Sequence, residues 1–196
     1  MPCSAPGEGC DGERPGSIDF EGNPDALLSG ALGRLASELE VGKRSRMKVR
    51  LLEDEDLDET IAVWHETRKR IHTSMNIEAE RDTTLDDSRR IFREKIAPRC
   101  QLWVAEKREK IVGFLAIRQS YIDRMYVKPS EQGRGVGTAL LKKARELSPE
   151  GLELHTHQKN GRSRSFYEKN QFRAVQFGLS PPPENEPDVE YRWRPA

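Results

Sequence analysis

Two clusters of residues in this sequence have the types and spacing to do chemistry. The first is Gln132-Gly133-Arg134-Gly135-Val136-Gly137, set between a strand-like run and a helix-like run. Backbone N–H groups at a helix N-terminus lack intrahelical partners and carry partial positive charge, so they receive an anion such as phosphate. Glycines let that backbone come close to the anion and take up positive φ. Spacing separates the phosphate loops that could claim the segment. A Walker A loop needs Gly-Lys-Ser/Thr, but five residues on from Gly133 stands Thr138. A dinucleotide fingerprint needs a third Gly where Thr138 or Leu140 stands. What fits is Gln-x-x-Gly-x-Gly on Gln132, Gly135 and Gly137; the plain alternative is a Gly-rich turn ahead of a helix. The second cluster runs from Asn160 through Ser163, Phe166 and Tyr167 to Gln171 and Phe172.

The elements that must position these clusters follow from periodicity. Residues 1–23 are rich in Gly, Pro, Ser and acids and read as a disordered tail. Asn23, Pro24 and Asp25 suit a helix start, and Leu28, Leu32, Leu35 and Leu39 recur at helical spacing. Gly30 and Gly33 weaken that helix by about 1 kcal/mol each. Lys43, Arg44, Arg46, Lys48 and Arg50 read as a solvated linker or a phosphate patch. A folded domain is expected from Met47 onward, with residues 1–46 a disordered or loosely helical extension that folding can do without. Val49 and Leu51 alternate as in a strand, and a helix capped by Asp54 or Asp56 carries Leu57, Ile61, Trp64 and Ile71 on one face. A polar segment and a helix over 84–96 come next. Strands are expected over 101–106, 111–117 and 120–127, a helix over 137–147, a strand over 151–157, a helix over 162–169, and strands over 172–178 and 189–193. The order βααβββαβαββ predicts a mixed α/β (α+β) domain with an antiparallel first half.

Composition narrows the function. Lys and Arg number 33 against 33 Asp and Glu, so no global field recruits nucleic acid or an anionic membrane. Mean hydropathy is −0.81, and no run of about 18 apolar residues is present to span a bilayer. Cys3, Cys10 and Cys100 have neither disulfide-framework nor metal-ligand spacing. A soluble cytoplasmic protein without nucleic-acid or membrane partners is the expectation.

Together the two clusters resemble the GNAT superfamily of N-acetyltransferases. That superfamily pairs a Gln/Arg-x-x-Gly-x-Gly/Ala loop with a downstream Asn, an aromatic-Tyr pair and a Gly-Phe. Tyr121-Ile-Asp-Arg-Met-Tyr-Val127 is similar to its fourth strand, and the likeness covers about residues 47–193. Gln171 departs from the family, standing where Gly is usual; that position shapes a turn rather than the chemistry. The resemblance implies a mostly antiparallel central sheet splayed between strands four and five and flanked by helices. It implies acetyl-CoA as cosubstrate, no metal, and acetyl transfer to a primary amine. The N–H groups of Gln132, Gly133, Arg134, Gly135, Val136, Gly137 and Thr138 would hold the pyrophosphate. The free edge of Met125, Tyr126 and Val127 would pair with the pantetheine arm, with the Met125 N–H as oxyanion donor and Asn160 opposite. Tyr167 would be the general acid: a phenol of ordinary pKa about 10 can protonate a thiolate whose conjugate acid lies near 8.5. The alternative is that Phe166 and Tyr167 pack a helix on the sheet.

Other constellations are weaker. Strand alternation puts Tyr121 and Asp123 on the face of Met125. Tyr121 stands where histone-acetylating relatives carry a catalytic Glu, so Asp123, or a water chain ending in a carboxylate, is the candidate base; a surface salt bridge is the rival. His155 and His157 share a strand face without a third metal ligand, and His65 and His72 carry no expected chemistry. Acceptor choice is expected from residues 72–87 together with the outer face of the fourth strand; Glu78, Glu80, Asp82, Asp86 and Asp87 stand there against a single Arg81, the alternative being a solvated acidic loop away from the cleft. The acceptor, a small-molecule or peptide amine, is open, as is a homodimer. A non-catalytic acyl-CoA-binding regulator on the same fold is the main rival, with a nucleotide-binding protein of another fold behind it.

Overall fold

The apolar runs of residues 101–127 become the middle of one sheet in the computed structural model, which describes residues 47–77, 82–182 and 185–195. The expected extension over 1–46 and its leucine helix lie outside the described residues. Among those described, the strands are β1 (Lys48–Leu51), β2 (Gln101–Lys107), β3 (Lys110–Arg118), β4 (Tyr121–Val127), β5 (Leu152–His157), β6 (Arg173–Leu179) and β7 (Pro187–Trp193). They stand in the order β1-β2-β3-β4-β5-β7-β6. Neighbours pair antiparallel except β4 and β5, which are parallel. The helices are α1 (Leu57–Met75), α2 (Leu85–Ile91), α3 (Val136–Leu147) and α4 (Gly161–Lys169). The mixed, mostly antiparallel sheet flanked by helices and the order of its elements agree with the expectation; strand ends move by one or two residues, α1 runs on to Met75, and the helix expected over 84–96 is α-helical only to Ile91 and continues as a π-helix over Phe92–Ile96. None of these helices is long and apolar enough to cross a membrane.

β3 reads as a continuous apolar run because both of its faces are covered: every residue from Ile111 to Ile117 is buried. Leu115 and Ile117 pack with Leu140, Leu141 and Ala144 of α3. Phe114 and Ala116 pack with Ile61 and Trp64 of α1 and with Phe92, which follows α2. The two-residue turn from β2 to β3 sets Arg108 and Glu109 at φ 54 and 58, as a tight right-twisted hairpin requires.

Two irregularities set β4 apart from its neighbours. Met125 pairs with Leu115 and Arg124 with Ala116, but Ile117 pairs with Ile122, leaving Asp123 as an unpaired bulge. On its other side β4 pairs with β5 only at Tyr121 and Glu153, where the Glu153 N–H donates to the Ser120 carbonyl over 2.9 Å. Beyond Tyr121 the two strands diverge.

Gly113 of β3 lets α3 sit close to the sheet. A Cβ there would lie 2.8 Å from the Tyr126 carbonyl oxygen, 3.2 Å from Val136 Cγ1 and 3.3 Å from Leu140 Cδ1. Backbone cannot give way as a side chain can, so Gly113→Ala should cost about 1–3 kcal/mol. A lower urea midpoint at unchanged denaturant slope is the expected reading.

Candidate active site

The glycines of the loop have separate jobs. Gly133 and Gly135 stand at φ 76 and 84 with open space where a Cβ would be, so conformation rather than crowding calls for glycine. Gly137 has ordinary φ, but a Cβ there would meet the Phe166 ring at 3.3 Å, so its bareness lets α3 approach α4. Gly135 is the N-cap of α3 and has no side chain to cap with. Its carbonyl accepts the Ala139 N–H at 3.0 Å, leaving the N–H groups of Val136, Gly137 and Thr138 without intrahelical acceptors. Gln132 ties this loop to the sheet: its side-chain Nε2 donates to the Val127 carbonyl over 2.9 Å.

The same carbonyl marks the open edge of β4. Lys128 donates its N–H to Val112 of β3 over 2.8 Å. By alternation, Met125 and Val127 then turn their N–H and C=O groups away from β3, into the gap left by β5.

A cavity of about 470 Å³ lies along that gap, lined by Met125, Val127, Gln132, Gly135, Thr138 and Phe166 among others. Tyr126, Gly133 and Gly137 also line it, whereas Arg134 and Val136 do not. The Val136 side chain is in the core at 2% exposure, and Arg134 pairs with Glu131 at 3.7 Å. α1 supplies Thr67, Arg70 and Ser74 to the wall, residues that nothing in the local sequence pattern singles out. A second cavity of about 520 Å³ is lined by Tyr121, Asp123, His155, His157, Asp188 and Glu190. Met125, Tyr126, Asn160, Ser163, Tyr167 and Ile71 belong to both. The two cavities therefore meet where β4 leaves β5.

At that junction Asn160 caps α4, its Oδ1 accepting the Ser163 N–H over 3.1 Å. Tyr167 is buried, its ring against Phe166, Phe172 and Tyr191. Burial pushes its phenol well above the ordinary value, with smaller contributions from Tyr126 and Tyr121, so the proton stays on at neutral pH. Among the described residues nothing hydrogen-bonds its hydroxyl, which is left to whatever occupies the cavities.

The structure corrects one expectation. The bulge at Asp123 breaks the strand's alternation: Tyr121 pairs with Arg118, on the opposite face of β3 from Leu115, the partner of Met125. Tyr121 and Met125 thus face opposite sides. Asp123 itself is no exposed ion pair. Its side chain is 5% exposed and has Arg124 at 3.3 Å with Arg99 and Arg118 each at 3.6 Å. Tyr121 instead reaches His155, hydroxyl to Nδ1 at 3.2 Å, and burial followed by Asp123 raises its phenol. In the 72–87 segment, His72 lines the second cavity, and two of the described acids have local partners. Asp87 is spent in a capping box with Thr84, and Asp86 pairs with Arg89 at 2.8 Å. Neither lines either of the two cavities, and Glu78, Glu80 and Arg81 lie outside the described residues. His65 holds α1 to α2 through Ser88 Oγ, 2.9 Å from its Nδ1. His72 is buried with its ring 5.8 Å from that of His157.

Known proteins share this arrangement. Residues 98–174 match the acetyltransferase (GNAT) domain family. The peptidyl-lysine N-acetyltransferase YjaB of Escherichia coli (strain K12) is 30% identical over 130 residues, which cover 66% of this chain and 84% of that one. The solution structure of apo YjaB from Escherichia coli superposes with a TM-score of 0.64 at 25% identity, over 77% of this chain and 99% of that one. The PaiA N-acetyltransferase of Thermoplasma acidophilum, crystallised with coenzyme A, shares the fold with a TM-score of 0.58 at 19% identity, over 76% and 99% of the two chains.

Tyr167 also links the site to stability. Below about pH 10, the value for an unfolded tyrosine, folded and unfolded chains both hold this proton and its contribution is complete. As pH rises further the unfolded chain ionises first, because the folded phenol is raised, and stability is lost. Tyr121 and Tyr191 are raised in the same direction. The urea midpoint should therefore fall between about pH 9 and about pH 11, and Tyr167→Phe should lose less over that interval than wild type.

Proposed function

This chain belongs to the GNAT family of acetyltransferases, and from that premise we propose that it moves the acetyl group of acetyl-CoA onto the side-chain amine of a lysine in a peptide or protein. What supports the reading above all is the junction of two cavities at Met125 and Tyr167. A binding module would need the first cavity; an enzyme with two substrates needs both, and a place where they touch. The lysine acceptor is taken from YjaB, which is named for that activity. A cytoplasmic setting, where acetyl-CoA and reduced thiols coexist, suits the free Cys100.

Acetyl-CoA supplies the activated thioester; the chain's own residues hold and polarise it. The backbone N–H groups from Gln132 through Gly133, Arg134, Gly135, Val136 and Gly137 to Thr138 receive the pyrophosphate, those of Val136, Gly137 and Thr138 being orphan donors at a helix start. Gln132 keeps that loop against β4 while its backbone serves the anion. The free edge at Met125 and Val127 takes the pantetheine amides as an added strand would be taken, with Tyr126 between them and Asn160 on the far wall. The Met125 N–H points at the carbonyl oxygen that gains charge as the amine attacks. The neutral amine attacks, the C–N bond forms and the C–S bond breaks; Tyr167 protonates the departing sulfur and regains its proton from the one that the amine nitrogen sheds. Asp123 is placed among three guanidinium groups, where it can order that corner of the acceptor cavity.

Thiol release from acetyl-CoA in the presence of lysine peptides tests the reading; no release with any amine would overturn it. Gly135→Asp, which sets a carboxylate against the pyrophosphate, should abolish acetyl-CoA binding by calorimetry while the fold persists. Tyr167→Phe should bind acetyl-CoA as wild type does and lose turnover by about 10²–10⁴-fold. An unchanged turnover number would mean that another group protonates the thiolate.

A further inference from the structure

We propose that Asp188 is the counter-ion through which the second cavity selects a cationic acceptor amine, an inference that rests on the acetyl-transfer reading and names the residue behind its substrate class. Among the described residues, three carboxylates line that cavity: Asp123, Asp188 and Glu190. Asp123 is answered by Arg99, Arg118 and Arg124. Glu190 is answered by Arg192, whose Nε lies 2.5 Å from its Oε1. Asp188 is buried to 8% exposure, and among the described residues no hydrogen bond or ion pair engages its carboxylate.

A buried carboxylate without a cation is unfavourable, and the cavity it lines is where a cation can arrive. The surroundings keep it both fixed and accessible. On β7, Asp188 and Glu190 alternate with Val189 and Tyr191, which are wholly buried in the core, so the two carboxylates share the cavity face. The backbone is pinned at this point, with Gln158 Nε2 donating to the Asp188 carbonyl over 2.8 Å. Across the pairing, β6 presents Gly178, where a Cβ would lie 3.5 Å from Asp188 Oδ1. Any larger side chain there would stand against the carboxylate. On the other side its partner is His157 of β5, at the end of the strand that diverges from β4. Arg68 and Arg124 line the same cavity, so its walls hold both signs; Arg124 is taken up with Asp123. The lysine ammonium is the occupant that this arrangement fits, a point cation on a slender stem.

The test measures binding of two peptides to the full chain by calorimetry, with acetyl-CoA present. One carries dimethyl-lysine, which keeps the positive charge; the other carries norleucine, a neutral side chain of similar reach. Wild type should prefer the cationic peptide, and Asp188→Asn should weaken it by roughly tenfold or more while the norleucine peptide changes far less. Asp188→Glu should recover part of the loss. Equal affinity of wild type for the two peptides would overturn the proposal, as would equal weakening of both by Asp188→Asn. The wild-type comparison needs no variant to fold. Because binding is read without turnover, absence of thiol release would count against acetyl transfer and leave the result for Asp188 standing.

Discussion

Everything in this site depends on the parting of β4 from β5. The strands meet at one residue pair, Tyr121 and Glu153, and the backbone of β4 beyond it faces a gap. Backbone N–H and C=O groups left without partners are costly when buried, and an open strand edge attracts any chain that can pair with it. The protein meets the cost in two ways. The Gln132 side chain takes the Val127 carbonyl, and the rest of the edge lines cavities rather than core. What remains available is a row of directed donors and acceptors, which a ligand built from amides can complete.

The parting has to be held open, and the packing on both faces of β3 does that. α3 lies close over β3 because Gly113 has no side chain, and its N-terminus is thereby brought to the end of β4. Gly137 brings the Phe166 ring of α4 against the same helix end. The Gly-rich loop, the open edge and Tyr167 thus share one frame, although they come from three separate stretches of chain. Positioning of this kind is what a reaction between two bound molecules requires, since small displacements at the reacting atoms lower rates steeply.

Local features of the site are legible in the sequence, and long-range ones are not. The Gly-rich loop, the cap at Asn160 and the aromatic pair are each set by a few consecutive residues, so their spacing identifies them. The departure at Gln171 is explained by the same local rule: its φ of 67 lies in the left-handed region, which glycine enters without cost and glutamine does not. Alternation puts Tyr121 on the wrong face because it assumes an unbroken strand, and the bulge at Asp123 depends on how β4 registers with β3. Asp188 is hidden for a related reason. Its alternation with Val189 is visible, but nothing local says that β7 slots between β5 and β6, next to the parting. Acids in the 72–87 segment stand out through their density, yet a capping box is an equally good use for Thr84 and Asp87.

Burial of Tyr167 raises a question that the geometry can answer in physical terms. A phenol pushed above its ordinary value is a weaker acid, which at first sight disqualifies it as a proton donor. Desolvation, however, acts on any group that gains negative charge in the same place. A thiolate leaving into this junction would be raised by the cause that raises the phenol, so the gap between donor and acceptor closes less than either shift suggests. The raised value has a further consequence: the hydroxyl is protonated throughout the range in which the amine loses its own proton and becomes a nucleophile. A group that must give up a proton only after the C–S bond begins to break gains from holding it firmly until then. In the proposed transfer, the buried ring and the unengaged hydroxyl would be two parts of one arrangement, in which the apolar wall built by Phe166, Phe172 and Tyr191 keeps the proton on the phenol until sulfur takes it.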